Sequence, residues 1–185
     1  MEARKQNFPL NQPFTLIEPG PVTLVTTHDG QRDNVMTITW TMVLDFEARF
    51  ALSTVPWNYS WQALVSTGEC VLAIPSAEML DTVVEIGLCS GKDTDKFEKF
   101  ALARHKADKV KAPLLSACLA NIECRVIDIV EQYGIVILEG VAAHVAPHRE
   151  KRSTLHAVGD GTFITDGTRL DRHVMMRQKL PPGVR

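Results

Sequence analysis

The sequence contains no long apolar run and no excess of charge of either sign. Its longest apolar stretches, residues 70–74 and 134–138, fall far short of the roughly 20 residues that a membrane helix requires. The 20 Lys and Arg against 22 Asp and Glu leave a formal net charge of -2, whereas a nucleic-acid-binding surface normally carries a basic patch. We therefore expect a protein that neither spans a membrane nor binds nucleic acid.

Cysteine is scarce, and no two cysteines form a C-x-x-C pair. The four are Cys70, Cys89, Cys118 and Cys124, and Met1 is followed by charged residues rather than by an apolar signal region. This pattern is typical of a protein of the reducing cytoplasm. A chain of 185 residues buries roughly 70% of its unfolded surface, so a single domain needs neither a disulfide nor a metal for stability.

Runs rich in β-branched residues dominate the chain. Because two sets of such runs flank a helical region, they predict a mainly β (α+β) fold: an antiparallel barrel with helical insertions rather than a doubly wound parallel sheet. The predicted strands are residues 21–27, 34–40, 48–54, 69–75, 120–130 and 134–145.

Three helices are predicted between the strands. The first covers 61–66 with its cap among residues 58–60, and the second is capped by Ser76 and stopped by Gly87. The third runs from Thr94 or Asp95 through Arg104, with charges that complement the helix dipole.

The last 35 residues or so differ from the rest, because arginines and glycines alternate with apolar side chains. That apolar content is too high for a free linker. We expect residues 1–150 to form the barrel and 151–185 to pack on it or on a partner subunit. The apolar residues concerned are Leu155, Val158, Phe163, Ile164, Val174, Met175 and Met176.

Motifs for phosphate loops, dinucleotide loops and metals are absent or weak. No Walker loop occurs, and the segment beginning Gly159-Asp-Gly161 lacks the third glycine of a dinucleotide fingerprint. His144 and His148 have helical spacing, but Pro147 between them makes a helix improbable. We therefore expect no bound metal.

The segment 34–40, Asn-Val-Met-Thr-Ile-Thr-Trp, has two interpretations. Thr37 and Thr39 are two residues apart, so they can simply share the solvent face of an antiparallel strand. Alternatively, backbone and hydroxyl groups of this segment hydrogen-bond a planar heteroaromatic ligand, since buried hydroxyls need partners. The pattern alone favours the first interpretation.

A resemblance favours the second. Five motifs occur in one order: Pro-Val-Thr-Leu-Val-Thr-Thr from residue 21, Gly30 with the 34–40 segment, Ser53 with Ser60, Gly-Glu-Cys-Val-Leu-Ala-Ile-Pro from 68 and Ser-Gly-Lys-Asp-Thr-Asp-Lys-Phe from 90. Together they resemble the flavin reductase-like, FMN-binding split-barrel family, and within it the flavoredoxins, over about residues 10–150. The resemblance implies a Greek-key split barrel that forms a homodimer and binds FMN.

The resemblance also implies which residues contact FMN, while no catalytic side chain is required. Ser60 is the strongest phosphate candidate, and Lys92 precedes Lys96 as the source of positive charge, although both also suit a solvated helix start. At Trp57 the family often has a basic residue, so a stacking contact and an altered phosphate site both stay open. The implied FMN contacts are Asn34, Met36, Thr37, Ile38, Thr39, Trp40, Ser53, Trp57, Asn58, Tyr59, Ser60, Ser90, Gly91, Lys92 and Lys96.

Three functions follow for such a fold. The first is an FMN-dependent oxidoreductase that takes hydride from NAD(P)H, and the second is an FMN electron carrier reduced by a redox protein. The third is a flavin-free haem or sensor variant that uses the pair His144 and His148. Because the flavin-contact segment is present, the third function ranks last.

Overall fold

The computed structural model describes residues 6–17, 20–147 and 149–184. Strands make up most of the regular structure, and the helices are short. The strands are β1 (Gln6–Asn7), β2 (Thr23–His28), β3 (Asp33–Ile38), β4 (Thr41–Val43), β5 (Arg49–Ser53), β6 (Glu69–Ile74), β7 (Arg104–His105), β8 (Leu114–Leu115), β9 (Ala120–Val130), β10 (Ile135–Val145), β11 (Leu155–Ala157) and β12 (Phe163–Thr165). The α-helices are α1 (Phe14–Ile17), α2 (Tyr59–Thr67), α3 (Leu80–Gly87), α4 (Lys96–Lys99) and α5 (His173–Met176).

One curled antiparallel sheet organises the chain. Its strand order is β3-β2-β6-β9-β10-β5-β4, and β1 pairs with the end of β10. The long strands β9 and β10 carry register shifts between Ile137 and Leu138 and between Gly140 and Ala142, and such irregularities bend a strand. The predicted mainly β class and antiparallel barrel are confirmed, and every predicted strand forms.

Two apolar clusters lie on opposite sides of this sheet. The larger one fills the barrel around Phe50, Leu72, Ile122 and Leu138. The second packs α3 and α4 against β2 and β3. Within the described ranges β3 is an edge strand, so no further strand there pairs with the backbone donors and acceptors of its outer edge.

The helices correct the predictions at their ends. Helix α2 begins after Asn58 and ends at Gly68, whose positive φ of 66° suits glycine. Asn58 does not cap α2 with its side chain. Its amide donates instead to Thr54 Oγ1 at 2.8 Å. Ser76 likewise makes no side-chain cap and accepts from Arg152.

The predicted third helix is wrong in length. Asp95 does cap it, with Oδ1 accepting from the N–H groups of Phe97 and Glu98. However, α4 ends at Lys99, because Ala101 takes a left-handed conformation with φ of 48°. The chain then enters the short hairpin of β7 and β8.

The C-terminal segment packs on the barrel of its own chain in part. Leu155 on β11 is buried in the second cluster, and its carbonyl accepts from Val22 N–H. In contrast, Val174 and Met175 on α5 are more than three-quarters exposed. Within the described ranges, no helix is long and apolar enough to cross a membrane.

Candidate functional site

A cavity of about 440 Å³ lies where β3, the start of α2 and the end of α3 meet. Most residues expected from the sequence to contact a flavin line it, and we call it the flavin cavity after that expectation. Its lining residues are Asn34, Met36, Thr37, Trp57, Asn58, Tyr59, Ser60, Ile86, Gly87, Leu88, Cys89, Ser90, Gly91 and Lys96.

Buried polar groups from three elements, β2, β3 and α2, meet at the floor of the flavin cavity. Asn34 on β3 donates its amide Nδ2 to Ser60 Oγ on α2 at 2.8 Å, and Thr27 Oγ1 donates to the same oxygen at 3.4 Å. Ser60 is 2% exposed. Because its oxygen accepts from two donors, its own proton is available to a ligand in the cavity.

Helix α2 points its amino end at the same place. The first N–H groups of a helix have no intrahelical acceptor and favour anions. Since the side chain of Asn58 supplies no cap, those of Tyr59 and Ser60 are not blocked by it. The helix start therefore offers donors to an anionic group.

The loop after α3 forms one wall of the flavin cavity and packs tightly against Asn34. Gly91 is buried and lies so close to Asn34 that a Cβ atom at Gly91 would overlap the Asn34 amide. Arg32 fastens this loop, because its guanidinium donates to the Gly91 carbonyl at 2.6 Å and to Tyr59 Oη at 2.7 Å. It also stacks 4.7 Å from the Tyr59 ring centroid. Glycine at 91 is thus a packing requirement.

Lys96 brings a positive charge into this cavity. It is 4% exposed, and Nζ donates to the Ile86 carbonyl at 2.9 Å. Within the described ranges, no carboxylate lies within 4.0 Å of Nζ. Burial lowers the pKa of the Lys96 ammonium, and the nearby Cys89 opposes the shift. An ammonium has three donors, so two stay available to an anion.

Several predicted contacts lie outside the cavity lining. Ile38 is buried in the barrel core, and Ser53 pairs with β10. Thr39 and Trp40 lie exposed beyond the end of β3. Lys92 is exposed, so the structure favours Lys96, the second choice from sequence, as the cation of the site. The Thr37 hydroxyl lines the cavity but donates to the Val83 carbonyl at 2.6 Å.

Sequence reasoning missed the wall formed by the end of α3. Ile86, Gly87, Leu88 and Cys89 line the cavity, and Arg32 braces it from outside. The available signal was the predicted helix stop at Gly87 directly before the Ser90 turn, because a helix end beside a candidate loop also belongs to its wall.

The cluster of Asp108, Glu123 and His144 has the composition of a metal site. Yet Glu123 Oε1 contacts His144 Nε2 at 2.7 Å, and its two oxygens accept from the N–H groups of residues 108–110. Burial raises the pKa of Glu123, but His144 and these N–H groups outweigh burial and lower it overall. The carboxylate is saturated, so the cluster holds a loop on the sheet. His148, the other histidine of the predicted pair, lies outside the described residues.

A second cavity of about 440 Å³ adjoins the flavin cavity. The two share Trp57, Asn58 and Tyr59, and the second is completed by the hairpin turn and the outer face of α2. Trp57 is 83% exposed. Asp29 on its rim accepts from Arg32 and Gln31 N–H groups, which lower the pKa of that carboxyl. We call it the adjoining cavity.

Known proteins are similar to this chain in sequence or in structure. The uncharacterized protein YddH of Escherichia coli (strain K12) is 30% identical over 179 residues, covering 87% of this chain and 94% of YddH. The structure of an FMN-binding domain of a flavin reductases-like enzyme from Shewanella baltica OS155 has a TM-score of 0.85 at 20% identity and covers 92% of this chain and 98% of that one.

A second solved structure is that of flavoredoxin from Desulfovibrio vulgaris (Miyazaki F). Its TM-score is 0.76 at 23% identity, covering 83% of this chain and 90% of that one. At such identities, both structures establish the fold. The family model described as "Flavin reductase like domain" matches residues 17–162, which is most of the sequence. The chain therefore belongs to the flavin reductase-like domain family.

Proposed function

We propose that this protein is a flavoprotein that binds FMN in the flavin cavity. The observation that carries the proposal is the buried ammonium of Lys96, which lines the same cavity as Ser60 and the start of α2 and has spare donors and no carboxylate within 4.0 Å among the described residues. Such a donor set suits a phosphate dianion. The cavity volume of about 440 Å³ lies in the range of cofactor sites.

In this proposal, the polar and apolar walls of the flavin cavity bind different parts of FMN. Lys96, Ser60 and the α2 N–H groups bind the phosphate end, while Met36 and the free backbone edge of β3 contact the ring system. Bound FMN supplies two-electron redox chemistry. The side chains of the site bind and orient it.

We further propose that the donor of electrons is NAD(P)H. The family match supports this, because the flavin reductase-like domain covers residues 17–162, whereas the adjoining cavity borders only the proposed phosphate end of FMN, at Trp57, Asn58 and Tyr59. No side-chain acid or base is needed for hydride transfer between two such rings. The proposed activity is an FMN-dependent NAD(P)H oxidoreductase of the flavin reductase type.

The test is an anaerobic absorption experiment on the purified protein saturated with FMN. Rapid loss of the flavin absorbance on addition of NADH or NADPH is the expected result. A bound flavin that neither nicotinamide reduces, but dithionite does, would overturn the choice of donor and leave FMN binding intact.

One observation favours a protein partner as the alternative donor. Trp40, Met42, Leu44 and Phe46 form an exposed apolar strip along the edge strand β4 and its flanks, and exposed apolar patches of this kind mark interaction surfaces. An electron carrier of the flavoredoxin type would dock a redox protein there. Stopped-flow reduction by a protein donor, but not by NAD(P)H, would support the carrier.

A second copy of this chain is the other candidate partner for this strip, and a homodimer built there would leave no room for the redox protein. Met42 is 57% exposed, so Met42→Asp should shift the sedimentation coefficient towards the monomer without unfolding the chain. Ile127→Asp, at an exposed position of β9, is the control. A Met42→Asp variant with unchanged sedimentation would contradict a dimer built on this strip.

A further inference from the structure

A third cavity, of about 600 Å³, lies between the barrel and the C-terminal segment. Among the described residues, none lines both this cavity and the flavin cavity or the adjoining cavity. Its floor is apolar, because Leu16, Ile74 and Leu119 line it and are nearly fully buried. We call it the tail cavity.

The wall of the tail cavity is strongly cationic. Arg149, Lys151, Arg152 and Arg169 all line it. Of these, only Arg152 has a carboxylate partner within 4.0 Å in the described part of the chain, because it binds Glu78.

The acidic groups of the wall do not neutralise these cations. Asp166 is engaged by Thr154 and by His156, whose Nε2 lies 2.7 Å from Asp166 Oδ1. Glu150 also lines the cavity, and its charge acts on Arg149 in the direction that raises the arginine pKa. Arg149, Lys151 and Arg169 therefore line the tail cavity without enough negative charge around it to balance their own.

Arg149 is held where its charge is poorly solvated. It is half-buried, and its guanidinium lies 5.2 Å from the Phe8 ring centroid. Burial, followed by the positive charge of Arg169, lowers the pKa of the Arg149 guanidinium. Two guanidiniums brought together in this way repel one another, and an anion between them would relieve that repulsion.

We propose that the tail cavity is a second binding site, separate from the flavin site, for a phosphorylated small molecule with an apolar body. Arg149 and Arg169 bind the phosphate group, Lys151 adds charge at the rim, and the floor of Leu16, Ile74 and Leu119 receives the apolar part. Guanidiniums match phosphate oxygens in pairs. This site does not depend on the proposed redox function.

Calorimetric titration of the FMN-saturated protein with pyrophosphate and with ADP tests the proposal. Saturation with FMN fills the flavin site first, and the variants below separate the tail cavity from the adjoining cavity, because Arg149 and Arg169 line only the tail cavity. We expect one binding event, with ADP bound more tightly than pyrophosphate because the apolar floor receives the part of ADP beyond its phosphates; equal affinities would overturn the role of the floor. The variant Arg149→Gln/Arg169→Gln should weaken it on the order of 10- to 100-fold, the loss expected for charge-assisted hydrogen bonds.

Arg172→Gln/Arg177→Gln is the matched control, because it removes the same charge from exposed positions that do not line the cavity. It should bind as the wild type does. If the first variant does not fold, Lys151→Gln/Arg169→Gln, which changes two exposed side chains, replaces it. No binding to the FMN-saturated wild type, or equal weakening in variant and control, would overturn the proposal.

Discussion

Two buried charges of this molecule lie in opposite circumstances. The carboxylate of Glu123 on β9 accepts three backbone N–H groups and contacts His144, so its partners all come from the chain. The ammonium of Lys96 on α4 is nearly as buried, yet it donates to one carbonyl and lines a cavity. A saturated charge stabilises the fold, whereas a buried charge with spare donors at a cavity is suited to a ligand.

Removing the negative charge of Glu123 should have the largest effect on the stability of the protein. Glu123→Gln places an amide NH₂ against backbone N–H donors and removes the charge that pairs with His144. We expect a loss of about 3–5 kcal/mol in the free energy of unfolding, measured by urea denaturation of the flavin-free protein.

Glu131→Gln, at an exposed position, is the control and should change stability little. The Glu123 contribution has a defined pH range. Because its pKa is lowered from 4.5, the contribution is complete above that value and is lost as pH falls through the folded-state pKa. Equal acid sensitivity in the wild type and Glu123→Gln would contradict this role.

Removing the positive charge of Lys96, which has spare hydrogen-bond donors, should not destabilise the flavin-free protein. Lys96→Met keeps the length of the side chain and removes a charge that burial disfavours. Replacement of a buried charge by an apolar side chain is often neutral or stabilising by about 1–4 kcal/mol. Urea denaturation near neutral pH measures this; a clear loss of stability would assign Lys96 to the fold instead.

The hydroxyl at the cavity floor should have an intermediate effect on FMN binding, together with a loss of stability because Asn34 and Thr27 lose their buried acceptor. Ser60→Ala removes one donor to the ligand, and we expect FMN affinity to fall roughly 5- to 10-fold, near the value of one hydrogen bond. Ser66→Ala on the same helix, where the hydroxyl faces the Ala63 carbonyl, is the matched control. Fluorescence titration with FMN compares them, and equal affinities would exclude Ser60 from the site.

A smaller effect should appear with pH, with opposite signs for stability and binding. The Lys96 pKa is lowered from 10.5, so between the folded-state pKa and 10.5 the unfolded chain binds more protons, and stability rises with pH. FMN affinity should fall over the same range, because the ammonium loses its charge. The difference between the wild type and Lys96→Met isolates the contribution of Lys96 to stability and to FMN affinity. Identical pH profiles of both quantities in the two proteins would contradict these contributions.

The fold was more accessible to sequence reasoning than the site. Runs of β-branched residues are local signals, and each predicted strand forms. The length of α4 was not accessible, because Ala101 leaves the helical conformation in a sequence without glycine or proline there. Glu123 is equally silent in sequence, since a charged residue on an alternating strand predicts exposure, and only its backbone partners make burial favourable.

The contrast between local sequence signals and tertiary contacts also explains why Lys96, and not Lys92, lines the flavin cavity. Lys92 and Lys96 are four residues apart and equally charged, and proximity to the Ser90 turn favours Lys92. The cap at Asp95 decides otherwise, because it starts α4 at Lys96 and directs that side chain to the end of α3. Such a choice depends on tertiary packing, which spacing alone does not encode.

Equilibrium titration of the wild type and Lys96→Met with FMN and with riboflavin tests the central claim most directly. Riboflavin lacks the phosphate, so it separates ring contacts from phosphate contacts. We predict that Lys96→Met weakens FMN binding on the order of 10- to 100-fold, the value of a charged hydrogen bond, and leaves riboflavin binding unchanged. Equal FMN affinity in the two proteins, or no FMN binding by the wild type, would contradict the assignment of the flavin cavity.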